Sequence, residues 1–150
     1  MNRVALKKRI EILEMYKGKV DEKSDLAQHL FNETKRRLEL LNYNVRDREN
    51  HISSLSSHFK TGEVGKGFLA NIYGYISSIE RELLSLRSDL DVASKEYERR
   101  LADYKKLKVR SIGLDGLIQR NKNRLSELDS KQDRIILDEW MLQSSLAKRK

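Results

Sequence analysis

From Leu6 onward, apolar residues recur with steps that alternate between four and three, the spacing of a coiled-coil seam rather than of a broad globular helix face. One unbroken register runs from Leu6 through Ile10, Leu13, Val20, Leu38, Leu41, Val45 and Ile52 to Phe59, and twelve of its sixteen positions are apolar. A second runs from Ile72 through Ile79, Leu83, Leu86, Leu90, Leu107, Leu114 and Ile118 to Leu146, with seventeen of twenty-two positions apolar. Neither needs a skip to stay in phase. Between them lies Thr61-Gly62-Glu63-Val64-Gly65-Lys66-Gly67, the one strongly glycine-rich punctuation in the chain. The pattern predicts two long helices, near 3–59 and 68–147, joined by a turn at 60–67.

A short turn between long helices makes them antiparallel neighbours. The expected fold is therefore all-α: a long antiparallel two-helix coiled-coil hairpin, a single body over 1–150. Folding at the turn pairs Leu55 with Ile72, Ile52 with Ile76, Val45 with Leu83 and Leu38 with Leu90, the numbers summing to 127 or 128. The same rule sets Phe31 against Tyr97, Ala27 against Arg100, Ser24 against Tyr104 and Ile10 against Ile118. Small residues opposite large ones suit a seam of limited width.

The arms are unequal, roughly 80 Å against roughly 120 Å at 1.5 Å per residue. Helix 2 should overhang. Leu6 reaches the level of Asn121, so Leu125, Leu128, Ile135, Leu142 and Leu146, with Trp140 beside them, continue the stripe without a partner arm. Unpartnered apolar surface marks a binding surface, with self-association or a frayed tail as the plainer reading. Gly113 and Gly116 raise the further possibility of a bend or break in helix 2.

Composition sharpens this picture. The chain has 150 residues, 36% charged and 38% hydrophobic, with no proline and no cysteine, and a mean hydropathy of -0.72. Disulfide scaffolds and Cys-based zinc sites are excluded, and sheet folds are disfavoured. No apolar run is long enough for a membrane span, and charges interrupt the first sixteen residues, so a cytoplasmic protein is expected. The Asn32-Glu33-Thr34 sequon carries no weight in that setting.

The chain carries no complete chemistry-bearing motif. The glycine turn lacks the spacing, the Ser or Thr after lysine, and the preceding strand of a phosphate-binding loop. His29, His51 and His58 form no tight ligand cluster, so neither metal nor cofactor is expected. Asp138/Glu139 and Asp47/Glu49 are acid pairs, but a two-helix rod offers no desolvated pocket to tune them. A non-enzyme is expected. The net charge of +8 makes acidic partners plausible. Arg3, Lys7, Lys8, Arg9, Lys17 and Lys19 fall beside Lys105, Lys106, Lys108, Arg110, Arg120, Lys122 and Arg124 in the expected pairing. Nucleic acid is disfavoured as the partner, because Tyr97 and Tyr104 fall in the seam rather than on a stacking face. An anionic membrane surface is disfavoured too, the seam being too narrow for a bilayer-facing side.

The chain resembles the flagellar export protein FliJ and the YscO group of virulence type III secretion. The resemblance rests on the length, the glycine-containing turn before the midpoint and Ile76-Ser77-Ser78-Ile79-Glu80 soon after it. It rests also on the alternating charge of Tyr97 to Lys108 and on Asp138-Glu139 followed by Trp140. One departure is that Arg134-Ile135 stands where the family often has Gln-Lys. The resemblance implies a non-enzymatic coupler, similar in fold to the central stalk of rotary ATP synthases, within a flagellar or type III export apparatus. It implies a hexameric FliI-like export ATPase docked on Leu125, Leu128, Ile135, Asp138, Glu139, Trp140 and Leu142. It also implies export chaperones and an FlhA-like export gate contacting Tyr43, Tyr75 and Ile79, with peripheral association at the inner membrane through that apparatus. The alternatives are a coiled-coil scaffold that dimerises through the overhang and, less favoured, a basic nucleic-acid-binding protein.

Overall fold

The computed structural model describes residues 2–60 and 65–148, and the expected turn lies partly outside them, at 61–64. Two helices account for the described chain: α1 over Arg3–Lys60 and α2 over Lys66–Lys148. They pack against each other as a two-helix hairpin without strands among the described residues. Asn2 caps α1, its Oδ1 accepting from the Ala5 backbone N–H at 2.8 Å, which satisfies one of the orphan donors of the first turn. Leu69 N–H closes the first turn of α2 on the Gly65 carbonyl at 3.0 Å. Lys148 stands in the last turn, where a cation complements the exposed carbonyls. α2 runs unbroken through Gly113 and Gly116.

The chain divides into two compact units. Unit one joins residues 1–25 to 106–150, and unit two comprises 26–105. In both, burial follows the seam. Every expected seam position from Leu6 to Leu55 and from Ile72 to Leu128 is buried or half-buried. The side chain of Phe59 lies outside the described set.

Unit one is held by Leu6, Ile10, Val20, Leu114 and Ile118, of which Leu6 is completely buried. Three polar residues are buried on the same seam: Ser24, Ser111 and Asn121. Asn121 satisfies its amide on its own helix, Nδ2 donating to the Leu117 carbonyl at 2.8 Å. Ser111 donates a short hydrogen bond across the seam to Asp21 Oδ1, and Lys17 Nζ reaches Asp21 Oδ2 at 3.0 Å. This triad carries a cross-helix polar link where the apolar pattern is interrupted.

Unit two is held by Val45, Ile72, Ile79, Leu83 and Ala93. Phe31 meets Tyr97 as expected, ring centroids 5.2 Å apart, but it also stacks on Tyr104 at 6.0 Å and 6°. The Tyr104 ring therefore lies on Phe31, seven residues away from the Ser24 position that backbone pairing assigns to it. The reason is the tilt of helical side chains toward their own N-terminus. In an antiparallel pair the two tilts converge, so long side chains meet at number sums above the backbone value of 127 to 128. Arg48–Glu82, Arg87–Glu49, Lys122–Glu14 and Ser111–Asp21 obey this, with sums from 130 to 136.

Candidate functional site

The expected docking segment belongs to unit one, and its beginning differs from expectation. Leu125 and Leu128 are half-buried, and Asp129 is too. The cap at Asn2 starts α1 at Arg3, whose Nε stands 2.9 Å from Asp129 Oδ1 while Nη1 donates to Gln132 Oε1 at 3.2 Å. The Asp129 contact is one of charge, for the Nε–H is not aimed along the line to that oxygen. The first turn of α1 and its long arginine thus extend cover past Asn121, and Leu125 and Leu128 leave the set of free residues.

Beyond Gln132 the helix is open. All residues from 133 to 148 are exposed except the half-buried Ser144. At 100° per residue, Ile135, Leu142 and Leu146 prolong the seam line. Ile136 with Trp140 forms a second line, and Leu137 with Met141 a third, all four among the exposed large apolar residues. Trp140 and Leu142 each keep 64% of their surface in water. Asp138 and Glu139 are exposed between these lines. A helix apolar on several sides is ordinarily enclosed by other protein.

Heptad counting misses Ile136, Leu137 and Met141 because it looks along one line only. The signal was present: Ile135-Ile136-Leu137 and Trp140-Met141-Leu142 are apolar triplets, and three consecutive residues cannot share one helix face.

The expected gate and chaperone contacts fall in unit two, where they do not form one patch. Ile79 is 3% exposed and belongs to the core, so it is no surface contact. Its seam position, between Ile76 and Leu83, dictates that burial. Tyr75 and Tyr43 are exposed. Tyr75 meets His51 edge to face, centroids 5.4 Å apart. The register places Tyr43 level with Leu84, nine residues or about 14 Å from Tyr75 along the helix. Leu40 and Leu84, both exposed, are nearer companions for Tyr43 at that level.

Charge is unevenly shared. Unit one contains 18 Lys and Arg against 11 Asp and Glu, a net +7, while unit two has 13 against 12, a net +1. The acids at 47 and 49 are engaged by Arg48 and Arg87, at 3.4 and 3.0 Å. Hydrogen bonds from Ser111 and then Lys17 hold the Asp21 carboxyl below its ordinary range, and the bond to Asp21 raises Lys17. Among the described residues no group of three or more His, Asp or Glu is placed to hold a metal ion. No helix among them is long and apolar enough to cross a membrane. Comparison with known proteins finds no matching family model, no matching curated protein and no matching solved structure.

Proposed function

We propose that this chain is a non-enzymatic coupler of a flagellar or type III export apparatus, docking residues 133–148 into a hexameric export ATPase. The single observation that supports this reading is the free end of α2, apolar on three lines and without cover from α1. A ring pore encloses a helix on all sides, whereas a second coiled-coil strand covers one line only. Residues 133–148 carry two basic and three acidic groups, so apolar contact rather than net charge must provide the docking energy. In this proposal Ile135, Trp140 and Leu142 enter the ring with Asp138 and Glu139 at its polar lining, while Tyr43 and Tyr75 meet the export gate and chaperones.

Trp140 is the chain's one tryptophan and reports directly on docking. Adding the purified export ATPase should shift its emission to shorter wavelength and shield it from iodide, and ATP hydrolysis should accelerate. An Ile135→Ser, Leu142→Ser variant should lose both effects while retaining its helicity. Unchanged emission at saturating ATPase would refute the docking. The scaffold reading predicts something different: sedimentation should then show a concentration-dependent dimer that the same variant abolishes.

A further inference from the structure

Unit one contains a groove between α1 and α2 that the coupler reading does not use. Arg9 from α1 and Arg120 and Arg124 from α2 line it, over Leu117. None of the three guanidinium groups takes part in an ion pair among the described residues, and all three arginines are exposed. Arg120 Nε is turned to the Gly116 carbonyl at 3.4 Å, which leaves its two Nη groups unengaged by that bond. Asn123 adds to the donors: its Oδ1 accepts from Gln119 Nε2 at 3.3 Å, so its amide N–H groups stay available. Three arginines that cannot shed their charge, in a unit of net +7, repel one another until an anion arrives.

The geometry points to a docking groove for an acidic, amphipathic protein segment, whose carboxylates pair with Arg9, Arg120 and Arg124 while an apolar side chain rests on Leu117. Two features favour carboxylates on protein over a nucleic-acid backbone. Leu117 is 37% exposed and offers apolar contact between the arginines. Glu127, also lining the groove, opposes a continuous track of phosphates but leaves room for separated carboxylates. Arg120 and Arg124, one turn apart, suit glutamates spaced four residues apart on a partner helix, and each guanidinium is able to take a carboxylate in fork geometry.

The proposal is independent of the ATPase reading. Its test is fluorescence anisotropy with the full chain and a labelled helical peptide bearing glutamates at i and i+4 beside leucine. Saturable binding that weakens steeply with NaCl is expected. Arg9→Gln, Arg120→Gln, Arg124→Gln together should weaken it at least about tenfold. Lys7→Gln, Lys8→Gln, Arg110→Gln removes the same charge elsewhere in unit one and should leave most of the affinity. Circular dichroism checks both variants, and single Arg124→Gln serves if the triple variant unfolds. No binding at low salt, or equal loss in the two triple variants, overturns the groove. Tighter, Arg9-dependent binding of a single-stranded oligonucleotide or of anionic vesicles overturns the assignment to protein.

Discussion

At the scale of single residues, depth in the seam orders the costs of truncation. Leu6 and Leu83 are almost wholly buried, whereas Leu41 and Leu86 are half-buried. Removing a fully buried leucine side chain costs about 2–5 kcal/mol, and a half-covered one costs correspondingly less. Denaturant melts should therefore rank Leu6→Ala and Leu83→Ala above Leu41→Ala and Leu86→Ala, the latter pair falling below about 2 kcal/mol. Ser111→Ala tests the polar link. Asp21 titrates below its usual 3.8 chiefly because Ser111 donates to it. A depressed carboxyl contributes stability above its unfolded pKa and loses it as pH falls through the folded one. The melting-temperature gap between wild type and Ser111→Ala should thus be widest near neutrality and close below about pH 4. A gap that widens in acid would contradict the assignment. Gly113 and Gly116 supply the reverse effect: a Cβ added at either meets nothing within 4 Å. Each Gly→Ala change should stabilise by about 0.5–1 kcal/mol, measured by urea melts.

At the scale of elements, what the sequence made legible was whatever the alternating three-and-four spacing controls. That spacing locates both helices and the seam from Leu6 to Leu55 and from Ile72 to Leu128, since a residue's rotation about a helix axis is set by its number alone. It does not encode side-chain reach. Tyr104 settles on Phe31, and Arg3 spans to Asp129 and Gln132, because long side chains tilt along the axis and extend past their own level. The free segment accordingly begins after Gln132, later than the position of Leu6 implies. Ile79 is the reverse case: the resemblance implies a surface role, and its seam position buries it. The residues that widen the free end, Ile136, Leu137 and Met141, lie off the seam line, so the three-and-four spacing does not mark them. Cross-helix ion pairs such as Arg48–Glu82 at 2.8 Å likewise depend on reach rather than on spacing, and at the surface each contributes about 0–1 kcal/mol.

At the scale of the whole molecule, the free segment and the charge separate cleanly, and a truncation exploits this. Ending the chain at Gln132 removes four basic and three acidic residues, which lowers the net charge only from +8 to +7. It retains Leu125, Leu128 and the Arg3 contacts with Asp129 and Gln132, so the covered seam stays whole. The segment lost is exposed almost throughout and contributes little burial to unit one. Its thermal midpoint should consequently stay within about 2 °C of the full chain, as expected when only surface is deleted. The truncated chain should fail to stimulate or bind the export ATPase, yet still bind the acidic peptide through Arg9, Arg120 and Arg124. With charge held nearly constant, loss of ATPase binding would be attributable to the apolar lines. A fall of many degrees would instead mean that Ile135 to Leu146 pack on the rest of unit one in solution, and the docking proposal would then lose its exposed helix.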